Sequence, residues 1–223
     1  MTDVRIINFK SILMGYNSLW SKVTGSLYKA VLTQAISGIT VCLLSVVSVI
    51  MINSDPIGYV KGGGFQTILI LIMIAGIGSL VGFILFFINI TKLKEQVNSL
   101  DAQAVGNIHT AMILAIIYAI VSVIGRFVLF MNIIALVLSI VAFAFQFMGY
   151  SALKSSTTFP TTAREGASKV FNAIIINLIA SFVASLFVLQ APVVSILAYV
   201  AIICAWAMQL RGWALIAKSE EPL

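Results

Sequence analysis

Residues 170–210 decide the fold, and they read VFNAIIINLIASFVASLFVLQAPVVSILAYVAIICAWAMQL without one charged side chain. A single helix of this length would extend about 62 Å, twice the roughly 30 Å of a membrane's hydrocarbon core. Gln190-Ala191-Pro192 lies in the middle, and proline breaks a helix interior because it lacks a donor and clashes with the preceding turn. The stretch therefore predicts a tight hairpin of two membrane spans, at 170–189 and 193–214.

Four further uncharged runs precede this hairpin, at 30–54, 62–91, 102–125 and 127–153. Each is long enough for one crossing, since about 20 apolar residues span the core. Hydrophobic residues make up 61% of the chain and charged residues only 9%, whereas a soluble domain has about 25% charged residues. The sequence predicts an all-α integral membrane protein, a six-helix transmembrane bundle with spans at 30–52, 66–90, 108–124, 128–150, 170–189 and 193–214.

The basic residues predict which side of the membrane each loop occupies. Of the 13 Lys and Arg residues, only Lys61 and Arg126 fall on the side opposite the two termini. Because Lys and Arg concentrate in cytoplasmic loops, we expect both termini in the cytoplasm, at the plasma membrane or, if the protein is bacterial, the inner membrane. The expected parts are a surface segment 1–29, the transmembrane domain 30–216 and a short cytoplasmic tail 217–223.

The segment before the first span has an amphipathic pattern. Apolar residues recur at spacings of three and four, with lysines away from that stripe, at Ile6, Phe9, Leu13, Tyr16, Trp20, Val23 and Leu27. This pattern predicts an interfacial helix on the inner leaflet. It would serve either as a cap that packs on the bundle or as an arm that senses lipid or docks a partner, and Gly15 and Asn17 favour a break in it.

Short similar segments recur along the sequence and indicate an internal repeat. Met148-Gly149-Tyr150 resembles Met14-Gly15-Tyr16, and Leu93-Lys94 matches Leu153-Lys154 at an offset of 60. Gln146-Phe147-Met148-Gly149-Tyr150 resembles Gln209-Leu210-Arg211-Gly212-Trp213. These recurring segments predict three helical hairpins of one orientation, related by an axis along the membrane normal. The alternative is convergence, because every inner helix end needs aromatic and basic residues at the lipid headgroups.

The spans carry almost no residues suited to chemistry. They contain no Asp, Glu, Lys or Arg except near their ends, so we expect neither proton relays nor coupled transport, which need ionisable groups in the membrane. His109 is the only histidine, and one histidine without ligand neighbours makes no zinc site. Cys42 and Cys204 lie inside apolar runs and form no disulfide or metal pattern. We expect no enzyme activity, no cofactor, no metal and no nucleic-acid partner.

Uncharged amides provide the candidate site. Four of them lie within or near the spans and are candidates to line a polar path, namely Asn89, Asn132, Gln146 and Asn177. The structural alternative is that they hydrogen-bond between helices, for about 1 kcal/mol each. Small residues at a spacing of four, such as Gly78 with Gly82, predict close helix packing, either within the chain or in an oligomer.

Three functions stay open from the sequence. The favoured one is a non-enzymatic membrane component, namely a scaffold, assembly factor or regulator that acts in the lipid bilayer through membrane-protein partners or as a homo-oligomer. The second is a passive channel or uniporter with an amide-lined path. The third is a lipid- or peptide-modifying enzyme, which would need Glu95, Asp101, His109 and Glu165 to assemble from separate loops.

Overall fold

The computed structural model describes residues 3–128 and 130–221, with side chains from Leu19 onward. Every regular element within those residues is a helix. In chain order they are α1 (Asp3–Ser54), α2 (Pro56–Lys61), α3 (Gly64–Lys94), α4 (Ser99–Gly125), α5 (Met131–Ser155), α6 (Thr161–Phe187) and α7 (Pro192–Lys218). Six of them are long and apolar enough to cross a membrane. The protein is therefore a multi-pass helical membrane protein, and the prediction of six spans is confirmed.

The helix ends differ from the predicted spans by small amounts. α5 begins at Met131 rather than at 128, and α6 ends at Phe187 rather than at 189, because the residues between the helices are needed to reverse the chain. α4 begins at Ser99, well before the predicted 108. Span three is thus the apolar part of a longer helix, whose first turns carry polar residues.

α1 joins the predicted surface segment and the first span into one helix. Of the predicted amphipathic stripe, Trp20, Val23 and Leu27 are buried, as expected of a helix that packs on the bundle. The stripe residues in 6–16 lie outside the residues whose side chains are described. An interfacial helix at 1–29 therefore stays a prediction.

The connection between the first two spans contains a helix that the sequence patterns miss. Gly62-Gly63-Gly64 predicts a flexible turn, and Gly63 does adopt the left-handed φ of 79° that favours glycine. Ahead of it, however, Asp55 caps α2, since the Gly58 N–H donates to Asp55 Oδ1 over 2.9 Å. Pro56 at the first helical position suits such a start. The sequence signal for α2 is therefore the capping residue Asp55 followed by Pro56, and not a hydropathy pattern.

One compact unit comprises residues 28–86 and 169–213. Small residues let its helices approach closely. A Cβ added at Gly38 of α1 would lie 2.6 Å from the indole of Trp206 in α7. Cys42 of α1 packs with Ala180 and Ile202, from α6 and α7 respectively. The contacts of this unit thus tie α1 to both helices of the last hairpin.

The other compact unit has its described residues within 3–27, 87–168 and 214–221. Its centre is the hairpin of α4 and α5. Gly149 of α5 faces α4 so closely that a Cβ there would lie 2.8 Å from the Ala104 carbonyl oxygen and 2.5 Å from the Ile108 side chain. This close approach needs glycine, because any larger residue would push the two helices apart.

Large apolar side chains cover the outward faces of the long helices. Ile77 and Leu80 of α3 are 64% and 58% exposed, and Ile133 and Leu136 of α5 are 66% and 60% exposed. A continuous apolar exterior of this kind marks a membrane-facing surface. Lipid, which is as apolar as leucine, removes the cost of exposing it.

Candidate functional site

Asn132 and Asn177, two of the candidate amides, bond within their own helix or turn. Asn132 Nδ2 donates to the Gly125 carbonyl oxygen over 3.1 Å and so closes the turn between α4 and α5. Asn177 Oδ1 accepts from Ser181 Oγ over 3.4 Å, one turn further along α6. Both bonds give the amides a structural role in holding their own helices and turns.

The amides are also spread along the chain's spans. Asn132 lies at the turn that ends α4, whereas Asn89 is half-buried near the end of α3 that leads into α4, so the full length of α4 separates them. Gln146 is half-buried in α5, and Asn177 belongs to the other compact unit. The structure therefore does not bring Asn89 and Asn132 together, and a shared amide-lined path stays a prediction.

The best-built polar arrangement lies where the termini and two connections meet. We call it the terminal-face cap and define it as residues 19–27, 92–101, 156–163 and 214–221, all within one compact unit. At its centre Trp20 is only 2% exposed. Its Nε1 donates to the Ser219 carbonyl oxygen over 3.1 Å. Its ring also packs edge-to-face on Phe159, with centroids 6.2 Å apart. Trp20 therefore joins three segments that are distant in sequence.

A buried carboxylate provides the second tie in the cap. Asp101 is 2% exposed, and its Oδ2 accepts from Thr158 Oγ1 over 2.9 Å. Asn98 Oδ1 accepts from the Asp101 N–H over 2.9 Å and caps α4. A negative charge in the first turn of a helix is stabilised by the helix dipole and its free N–H groups. Asp101 thus links the start of α4 to the connection between α5 and α6.

Charged and apolar side chains surround these ties on the outside of the cap. Its exposed charged residues are Lys22, Lys92, Lys94, Glu95, Lys218 and Glu220. Leu100, next to the buried Asp101, is 71% exposed. Leu100 is therefore a large apolar side chain on the outside of the cap that a partner or lipid can contact.

Two further groups, Arg164 next to the cap and Glu221 within it, have buried polar atoms. Arg164 Nη2 donates to Thr161 Oγ1 over 3.0 Å at the start of α6. Its Nε is buried and has no hydrogen-bond partner among the residues that the structure describes. At the other end of the chain, burial raises the pKa of the Glu221 carboxyl. Its Oε1 is buried and accepts no hydrogen bond from any described residue, so the surroundings favour the protonated form.

Sequence reasoning missed the two central residues of the cap. It placed Trp20 in an amphipathic stripe and Asp101 in a loop. The pattern Asn98-x-x-Asp101 was a readable signal for a helix start, but nothing local indicates the bond between Trp20 and Ser219. His109, the only histidine of the sequence, stacks on Phe87 of α3 with ring centroids 4.8 Å apart.

In the terminal-face cap, the Asp101 carboxylate, the Thr158 hydroxyl and the Trp20 indole are engaged in hydrogen bonds within the chain. Among the described residues, no three His, Cys, Asp or Glu side chains come together in a group that would hold a metal ion. Comparison with known proteins found no match to the chain among family models, curated proteins or solved structures.

Proposed function

We propose that the protein is a non-enzymatic membrane component, a scaffold, assembly factor or regulator, that acts through partner proteins bound at the terminal-face cap. The observation that carries the proposal is the position of Trp20, which is 2% exposed and contacts both Phe159 and the Ser219 carbonyl. Segments from the start, middle and end of the chain are thereby held in one fixed arrangement.

A fixed surface of this kind is suited to binding. Association costs free energy for every loop and side chain that must be ordered, and a surface ordered beforehand avoids that cost. The Asp101–Thr158 bond orders the connection between α5 and α6, and the cap of Asn98 orders the start of α4. The exposed Leu100 lies directly beside these two ties, which makes it the preferred contact residue.

The ends of α4 and α5 that lie away from the cap support the proposal that partners bind at the cap. At the turn between α4 and α5, Phe127 is 86% exposed and Phe130 is 57% exposed. Phenylalanines this exposed fit contact with lipid rather than with a charged partner surface. We place the cap in the cytoplasm on the distribution of Lys and Arg, so the cytoplasmic side is where a soluble or membrane-bound partner would reach the protein.

A photo-crosslinking amino acid at position 100, introduced into the full chain in its native membrane, tests the proposal. The matched control carries the same group at position 127, which is also exposed but lies at the other end of α4. We expect a discrete protein adduct from position 100 and only lipid adducts from position 127. The same protein adducts from both positions, or none from position 100, would contradict the proposal.

Flux through reconstituted vesicles separates this function from the channel alternative. A scaffold gives no flux of ions or small solutes above that of empty vesicles. Flux that disappears in Asn177→Leu but persists in Ser185→Ala, a polar residue elsewhere on α6, would replace the scaffold with an amide-lined path.

A further inference from the structure

The connection between α1 and α3 packs back onto the end of α1. Tyr59 of α2 is 5% exposed, and its hydroxyl lies 3.1 Å from Ser48 Oγ, within hydrogen-bonding distance. The Tyr59 ring also packs edge-to-face on Phe65 near the start of α3, with centroids 6.0 Å apart. A Cβ added at Gly64 would lie 3.1 Å from Met51 Cε of α1. α2 and the start of α3 are therefore held beside the last two turns of α1.

The contact between Tyr59 and Ser48 sets the depth of α2 in the membrane. Lys29 is the last charged residue of α1 before the uncharged run 30–54. About 20 helical residues cross the hydrocarbon core, so counting from Lys29 places the far edge of the core at about residue 49. Ser48 lies at that edge, and a tyrosine whose hydroxyl reaches it has its backbone in the headgroup layer. Tyrosine is enriched at this level because its ring is apolar and its hydroxyl is polar.

The side of α2 that Tyr59 does not occupy is apolar and exposed. Ile57 and Val60 are 66% and 61% exposed, and residues three apart lie on one face of a helix. The adjoining parts of α1 and α3 are apolar and exposed as well, at Ile50 and Phe65. The face of α2 therefore continues the membrane-facing surface of the two long helices. In water, Ile57 and Val60 would forgo the free energy of burying two aliphatic side chains.

Charged side chains stand at both ends of α2. Asp55 precedes the helix and Lys61 ends it, and both are exposed. They are the only charged residues of the sequence between Lys29 and Lys92. A helix with an apolar face and charged ends is suited to the boundary between the lipid tails and water. Lysine also reaches past that boundary, because its long stem keeps the ammonium group in water.

We propose that α2 binds the lipid surface at the far end of α1, with Ile57 and Val60 inserted at the boundary between headgroups and acyl chains. Lipid is the occupant of this face because the same surface continues into the membrane-facing sides of α1 and α3. Tyr59 fixes the depth of α2 against α1, and Lys61 reaches the phosphates and water. The connection is then an anchor that keeps α1 and α3 at one level in the bilayer. The inference does not depend on the proposed scaffold function, since the adduct from position 100 is measured separately.

Fluorescence quenching in reconstituted vesicles tests the proposal. The full chain, with Cys42→Ala and Cys204→Ala, carries a fluorescent label on Ile57→Cys or Val60→Cys, and the control carries it on Lys61→Cys of the same helix. We expect phospholipids brominated near the headgroup to quench the labels at 57 and 60 more than the label at 61. Iodide on both sides of the membrane should give the reverse order.

Two results would overturn the proposal. Iodide quenching at 57 and 60 that equals or exceeds the quenching at 61 would place α2 in water. Protection of 57 and 60 from both quenchers would show that protein, and not lipid, covers this face.

A second measurement separates anchoring from folding. Ile57→Ser combined with Val60→Ser removes the apolar face but keeps Asp55, which caps α2, and Tyr59, which contacts Ser48. We expect hydrogen exchange of residues 57–62 in vesicles to rise about tenfold in this variant, while exchange within 30–48 stays unchanged and shows that α1 is intact. Lys61→Ser should leave the exchange of both segments unchanged. An unchanged rate at 57–62 in the double variant would contradict the anchor.

Discussion

Replacing Trp20 by phenylalanine is the most informative perturbation of the terminal-face cap. The change keeps an aromatic ring against Phe159 but removes the Nε1–H that donates to the Ser219 carbonyl over 3.1 Å. A buried acceptor left without its donor costs about 1–3 kcal/mol. The smaller ring also leaves a void in a site that is 2% exposed, so we expect a total loss of about 2–4 kcal/mol in the free energy of unfolding.

Trp206→Phe is the matched control. It makes the same change of shape, but the Trp206 indole is half-buried and donates no hydrogen bond to a described residue. We expect the unfolding free energy of Trp20→Phe, measured by titration with SDS in mixed micelles, to lie about 1–3 kcal/mol below that of Trp206→Phe. Hydrogen exchange of residues 214–221 should rise only in Trp20→Phe. Equal losses in the two variants, with unchanged exchange at 214–221, would refute the role given to Trp20.

Three further predictions follow from single contacts. Gly38→Ala should cost about 1–3 kcal/mol in the free energy of unfolding, because the added Cβ would meet the Trp206 ring. The control is Gly76→Ala, which has open space around it and should be neutral or stabilising in the same SDS titration. Thr158→Val should cost about 1–3 kcal/mol, since it leaves the buried carboxylate of Asp101 without its donor, and protease cleavage within 156–160 should become faster; unchanged cleavage would contradict the tie. Because burial raises the pKa of Glu221, the protonated form stabilises the folded C-terminal segment. We therefore expect the hydrogen-exchange protection of residues 214–221, after correction for the intrinsic increase of amide exchange with pH, to fall as the pH rises through that raised pKa. Protection that rises instead would reverse the sign of the effect.

The number and order of the spans could be predicted because each crossing of the lipid core needs a long run of uncharged residues. Charged groups are costly in the membrane, so uncharged runs mark the crossings, and Pro192 divides the longest run where α7 begins. The helix α2 and the start of α5 at Met131 could not be predicted from hydropathy, since both depend on local turn geometry. Asp55 was the available signal for α2, through its bond to the Gly58 N–H.

The candidate site was harder to predict because its contacts are distant in sequence. Trp20 and Ser219 are 199 positions apart, and no periodicity links them. For Asn132 the sequence pattern points to the wrong role. An amide inside an apolar run suggests a polar path, but Asn132 donates to the Gly125 carbonyl and so stabilises a turn. Hydropathy indicates whether a residue favours lipid or water, but it does not indicate which neighbour satisfies its hydrogen bonds.

The distribution of Lys and Arg predicts that successive helices cross the membrane in alternating directions, with both termini on one side. Labelling with a membrane-impermeant maleimide in intact cells tests it most directly, using Lys61→Cys and Lys94→Cys separately in a chain that carries Cys42→Ala and Cys204→Ala. We expect Lys61→Cys to react in intact cells, and Lys94→Cys to react only after the membrane is permeabilised. Labelling of both positions from the same side would contradict the six-span arrangement.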